Sequence, residues 1–200
     1  MELIKYRQNI INKRYRKKLH DTDFSLVCSN CFGGIFYHWL GMQFKSPFIN
    51  LFLSNEDFIK ALSNWNEFLA QPLIEDLHAG KSYPVGIGYD GIRVEFQHYT
   101  DFASANKKWE ERKLRIIPDK TIFMLTNWGG VKSVVEQFDS LPLKNKIIFT
   151  DKPFPECRSA VWLKGWQHNC GRNIWLTSSI FGNRYIDQFD LIGWINRRLS

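Results

Sequence analysis

The stretch from Thr121 to Thr150 limits the folds open to this chain more than any other. Thr121-Ile-Phe-Met-Leu125 and Lys146-Ile-Ile-Phe-Thr150 are short apolar runs of the kind that become strands buried on both faces. Between them, Thr126-Asn-Trp-Gly-Gly130 reads as a loop and Val131 to Phe138 as a helix. Two strands joined through a helix make a right-handed crossover in a parallel sheet, so the fold class is α/β. In such sheets ligands gather beyond the carboxyl ends of the strands, where Asn127 and Asp151 stand.

A second passage of this type runs from Phe24 to Leu40. Phe24 to Cys28 reads as a buried strand, Ser29 to Cys31 as a polar turn, and a helix opens at Gly33-Gly34. Glycines there let the backbone approach another group closely. A helix start also offers unpaired N–H groups and a positive dipole end, which suit a thiolate or an anion. Asn30, Gly33 and Gly34 are therefore candidate substrate-binding positions.

Elsewhere the pattern predicts a strand at Ile49–Leu53 and a helix from Ser54 to Ala70, with Ser54 as its cap and Phe58, Ile59, Leu62 and Trp65 at helical spacing. Asp90-Gly91 separates Tyr83–Tyr89 from Ile92–His98, a strong hairpin signal. Alternation along the second strand places His98 on its apolar face. A helix follows from Asp101 to Leu114, with Trp109, Arg112 and Arg115 three apart along one side. The tail predicts strands at Ala160–Leu163 and near Ile174–Leu176, then a helix over Ile186–Leu199. The expected architecture is a mixed sheet with a parallel βαβ unit in the C-terminal half, helices packed on it, and an Asp-Gly hairpin.

The net charge of +7 is local. Residues 1–20 hold Lys5, Arg7, Lys13, Arg14, Arg16, Lys17 and Lys18 against Glu2, or +6, leaving 20 bases and 19 acids elsewhere. Residues 1–20 thus read as a basic helix attached to a single α/β domain, 21–200. Nucleic acid asks for a basic face on the fold itself, and none is visible. The helix has more than one possible partner: an anionic membrane surface, the domain itself, or a second subunit. No apolar run is long enough to span a bilayer and no secretory leader is apparent, which predicts a cytoplasmic protein, peripheral at the inner membrane face if the helix meets lipid.

Cys31 is the candidate nucleophile, with His98 or His38 as its base and Asp90, Glu95 or Asn30 orienting the imidazole. The alternative is that Cys31 packs as a small apolar residue and Asn30 holds the turn. Cys28-x-x-Cys31 lacks a second cysteine pair, since Cys157 and Cys170 are isolated and only His168 is near, so no metal is expected and no cofactor is implied. Trp109, Arg112 and Arg115 could instead bind a phosphate or carboxylate, the tryptophan by stacking and the guanidinium groups by forked donors.

Taken together, Ser29-Asn-Cys-Phe-Gly-Gly34, Ser46-Pro47, Tyr83-Pro-Val-Gly86, His98-Tyr99, Trp109-Glu-Glu-Arg112, Arg115-Ile116 and Asn145-Lys-Ile-Ile-Phe-Thr150 resemble the bacterial domain of unknown function 1919 family. The resemblance covers most of the chain and implies a place in capsule or exopolysaccharide biosynthesis. The function expected from it is a transferase acting on a sugar or lipid-linked sugar, by acyl transfer through Cys31 and His98. The alternatives are a metal-independent glycosyl- or phosphosugar transferase using Arg112 and Arg115, or a non-catalytic glycan-binding scaffold.

Overall fold

The structure is a computed structural model and describes residues 2–127, 129–167, 173–179 and 181–200. It begins with helix α1 (Glu2–Lys18), strand β1 (Ser25–Cys28) and helix α2 (Phe32–Leu40). Helices α3 (Asn55–Ser63) and α4 (Trp65–Ala70) precede strands β2 (Ile74–Glu75), β3 (Val85–Ile87) and β4 (Arg93–Glu95). Helix α5 (Phe102–Lys113), β5 (Thr121–Thr126), α6 (Lys132–Ser140), β6 (Lys146–Thr150), β7 (Ala160–Trp162) and α7 (Leu191–Leu199) complete the order. Among the described residues no helix is long and apolar enough to cross a membrane.

The fold is α/β, and its strands sort into two sheets. One is parallel throughout, in the order β1-β5-β6-β7, with β5, α6 and β6 forming the expected crossover. Its side chains alternate between two cores. Val27, Phe123, Leu125 and Ile148 point to one face, packed by α3, α5 and α6 through Phe58, Trp109 and Phe138. Leu26, Cys28, Ile122, Met124, Ile147 and Phe149 point to the other, covered by α2 and α7 through Phe36, Tyr37, Leu191 and Ile195. The second sheet is antiparallel, β2-β3-β4.

The Asp-Gly hairpin forms as its chemistry requires. Asp90 and Gly91 both lie at positive φ (51° and 75°), and Ile92 N–H donates to Tyr89 O at 3.1 Å. This is the primed turn geometry that matches strand twist.

Four other expectations need correction. The helix expected over 54–70 breaks at Asn64, where the Asn64 side chain and Ser63 Oγ donate to the Lys60 and Ile59 carbonyls and compete with the helical ladder. Ile49–Leu53 is not a strand: Asn50 lies at φ 60°, and pairing is reduced to one bridge, Phe52 with Glu95. In place of the strand near Ile174–Leu176 there is an isolated bridge between Thr177 and Arg184. The closing helix starts at Leu191, where Asp190 caps it by accepting from Gly193 N–H.

Helix α1 docks on the domain by one side. Gln8 donates to Thr177, Tyr15 Oη to Asp187 (2.7 Å), and Lys18 pairs with Asp190. Burial and the Asp187 carboxylate both push the Tyr15 phenol well above its usual range. Arg184, 1% exposed, closes this joint: it pairs with Asp187 at 2.9 Å, donates to Asn12 Oδ1 at 2.9 Å and lies 3.5 Å over the Trp39 ring.

The glycines opening α2 serve close packing. A methyl at Gly33 would lie 3.0 Å from Cys28 Sγ, and one at Gly34 would lie 3.3 Å from Ile49 Cγ2. Overpacking of this kind costs about 1–3 kcal/mol, against which alanine's better helix propensity returns about 1. Gly33→Ala is therefore expected to lower the melting temperature by a few degrees in a thermal scan; an unchanged or higher midpoint would contradict the packing described here.

Candidate active site

Cys31 and His98, 67 residues apart, meet. Cys31 Sγ lies 3.2 Å from His98 Nε2. Three connections bring them together. Strand β1 ends beside β5, with Ser29 N–H donating to Met124 O at 3.3 Å. Leu53 N–H donates to Ser29 O at 2.8 Å, fixing the 49–53 segment to the end of β1. Phe52 and Glu95 exchange backbone hydrogen bonds at 2.8 and 2.9 Å, fixing the end of β4 to the same segment.

His98 does not sit on the apolar face of a strand. Strand β4 stops at Glu95, the chain turns through Gln97 N–H to Glu95 O and Tyr99 N–H to Phe96 O, and His98 is exposed. That turn breaks the alternation and carries the imidazole over to the thiol. His38 is not a candidate base: its ring lies edge-on to Phe44, with 5.2 Å between centroids. The groups expected to orient the imidazole are engaged elsewhere. Glu95 accepts from Tyr83 Oη at 2.7 Å, Asp90 pairs with Lys60 at 2.8 Å, and Asn30 Oδ1 accepts from Phe32 N–H at 3.0 Å.

Cys31 begins α2 and is half-buried. The helix start favours a thiolate, but burial is the larger influence and pushes the thiol above its ordinary range, offset in part by a backbone hydrogen bond. Burial thus disfavours the thiolate, which a base beside the thiol would offset. Cys28 is a different case: it is sealed in the core and its thiol is pushed up by burial alone. Cys157 is buried as well, and its thiol is raised chiefly for the same reason. Among these three, brief alkylation of the native protein followed by peptide mapping is expected to mark Cys31 first. Equal labelling of Cys28 would contradict the burial pattern.

The pair opens onto a cavity of about 560 Å³ lined by Asn30, Cys31, Ile35, Phe52, Gln97, His98, Asn173 and Trp175. It lies beyond the carboxyl end of β1, where a parallel sheet places its ligands. Trp175 stacks on Phe32, the planes 11° apart, to form one wall. The lining has amides, apolar surface and one imidazole, with no Lys, Arg, Asp or Glu among the described residues. Asn30 Nδ2 is buried and has no partner among the described residues.

The other proposed binding residues are elsewhere. Trp109 is 1% exposed and packs against Phe48, Phe68 and Phe96, so it is core and offers no stacking platform. Arg112 lies over the Phe44 ring at 5.4 Å and donates to Tyr99 Oη at 2.9 Å; Arg115 donates to Phe44 O at 3.4 Å. Both grip the loop after α2 and neither lines the cavity. Gly33 and Gly34 are buried behind it, spaced against Cys28 and Ile49. Asn127 is fully buried and donates to Val131 O at 3.3 Å, holding its own loop. Trp128, His168 and Cys170 lie outside the described residues. Among the described residues no three His, Cys, Asp or Glu side chains are placed to hold a metal ion.

Sequence reasoning missed Ile35, Phe52, Gln97, Asn173 and Trp175. Gln97 adjoins His98 and was within reach of it; Asn173 and Trp175 come from a tail whose packing has no local signature.

A family model described as "Domain of unknown function (DUF1919)" matches residues 3–196. The chain is also 39% identical over 188 residues to an uncharacterized protein of Haemophilus influenzae strain Rd, covering 93% of this chain and 90% of that one.

Proposed function

The chain belongs to the DUF1919 family, whose name specifies no reaction, and from its own site we propose a transferase of bacterial surface-polysaccharide synthesis that carries an acyl group on Cys31. The observation that carries this reading is the 3.2 Å contact between Cys31 Sγ and His98 Nε2 at a cavity of about 560 Å³. The polysaccharide context is what the family resemblance implies, and the chemistry is supported by the geometry.

In the first half-reaction Nε2 takes the thiol proton as sulfur attacks the donor's acyl carbon. Asn30 Nδ2, beside the nucleophile and without a partner among the described residues, is the donor offered to the developing oxyanion. The intermediate collapses to a thioester as the leaving group takes the proton from His98 and departs, which returns Nε2 to its neutral form. In the second half an acceptor hydroxyl gives its proton to Nε2 and attacks the thioester; an ester forms, and Cys31 leaves as a thiol by recovering that proton. The uncharged lining fits an acyl group and a neutral sugar hydroxyl at the reacting centre, with any phosphate outside. Arg112 and Arg115, committed to Phe44 and Tyr99, give phosphosugar transfer no comparable support.

The test is to incubate the full chain with a panel of acyl thioesters and map adducts by mass. The expected result is one acyl group on the Cys31 peptide, discharged by sugar acceptors and absent in Cys31→Ala. No adduct with any donor, or one that persists in Cys31→Ala, overturns the reading.

A further inference from the structure

Helical spacing divides α1 into two sides. Gln8, Asn12 and Tyr15 share the docked side, held by Thr177, Arg184 and Asp187. Leu3, Tyr6 and Ile10 share the other, and Lys13 and Lys17 continue it. Leu3 is 60% exposed and Tyr6 65%. Phe181, from a segment distant in sequence, stands at the edge of this side, against Arg7. It is 61% exposed, the Arg7 guanidinium stands 5.4 Å over its ring, and Gly182 next to it packs against Ile4 and Arg7. Large apolar side chains and a cluster of cations thus share one surface, on the segment that holds nearly all of the protein's excess charge.

We propose that this side of α1, with Phe181, rests on an anionic lipid surface, the apolar side chains entering the headgroup layer and the bases meeting its phosphates. An exposed apolar stripe flanked by Lys and Arg is the composition that binds such surfaces. A second copy is a poor occupant, since it would bring the same basic face against itself. The cavity wall is tied to the same helix from its docked side, because Thr177, bonded to Gln8, follows Trp175 by two residues. Resting on the acyl-transfer reading, the substrate class that fits is a sugar acceptor carried on a lipid.

The experiment is sedimentation of the full chain with vesicles of phosphatidylcholine alone and of phosphatidylcholine with about one quarter phosphatidylglycerol. The protein is expected to bind the mixed vesicles, to ignore the neutral ones, and to dissociate as salt is raised. The combined variant Leu3→Ser, Tyr6→Ser, Phe181→Ser is expected to lose at least about tenfold in affinity, and Lys13→Glu with Lys17→Glu to weaken binding and flatten its salt dependence. These side chains are exposed, and an unchanged melting temperature confirms that each variant folds. Cys31→Ala is expected to bind vesicles as wild type does, so a failure of the acyl-transfer chemistry leaves this result standing. No binding to mixed vesicles at low salt, equal binding to neutral ones, or full binding by the serine variant overturns the proposal. Dimerisation that depends on Leu3, Tyr6 and Phe181 also overturns it and assigns the surface to a second copy.

Discussion

Cys31→Ala and His98→Ala are each expected to lower acyl transfer by about 10²–10⁴-fold or more, the loss typical when a positioned proton acceptor or its nucleophile is removed. The two effects are expected not to add. A thiol that stays protonated without its base and a base without its thiol are both idle, so the double variant should fall little below the worse single one. Steady-state transfer with matched donor concentrations measures all three. The loss should appear in kcat with KM nearly unchanged, since the cavity walls of Phe52, Trp175 and the amides remain. Additive losses, or a KM effect alone, would mean that the two side chains act separately.

The largest stability effect is expected at Arg184. Its guanidinium is almost fully buried and joins Asp187, Asn12 and the Trp39 face, so one side chain connects α1, α2 and the turn before α7. Removing one member of a buried ion pair leaves the other charge without compensation, at a cost of about 3–5 kcal/mol. Arg184→Ala should therefore lower the melting temperature by roughly 6–20 °C, taking about 2–4 °C per kcal/mol for a chain of this length. The cost belongs to the stranded carboxylate, so Asp187→Asn introduced into Arg184→Ala should recover part of it. Strict additivity of the two losses in denaturant melts would show that the pair is not coupled. Breaking this joint should also loosen the docked side of α1, which holds Tyr15 through the same carboxylate.

Much of the fold was legible because its signals are local. Apolar runs of strand length at Thr121–Leu125 and Lys146–Thr150 can be buried in few ways, and Asp90-Gly91 supplies the left-handed backbone that a two-residue turn demands. The segment 49–53 was misread for the same kind of reason. Its run of apolar residues is what a strand would show, while the left-handed Asn50 that prevents pairing carries no mark in composition. The site divides similarly. Cys31 stood out because a strand, a polar turn and paired glycines surround it. The route by which His98 reaches it passes through Leu53, Ser29, Phe52 and Glu95, contacts that belong to no sequence pattern.

The two tryptophans show this limit most clearly. Trp109 and Trp175 are equal as residues, yet one is core and the other is a cavity wall, because packing alone decides which ring meets solvent. Arg112 and Arg115 had the spacing of an anion site, but their partners are a ring, a phenol and a carbonyl. Arg184 drew no attention from sequence, since a lone arginine in an irregular stretch reads as surface. In the structure it is the most buried cation described.

The pairing of thiol and imidazole is tested most directly by the rate of Cys31 alkylation against pH, read by peptide mapping in wild type and in His98→Ala. Burial holds the thiol above its ordinary range, so its own thiolate is scarce at neutral pH and becomes abundant only as the solution turns alkaline. With His98 accepting the proton, wild type should react at pH 7 at least about tenfold faster than His98→Ala, and the gap should close as the pH rises. Superimposable curves across the whole range would contradict the account, for they would show a cysteine that reacts without its neighbour.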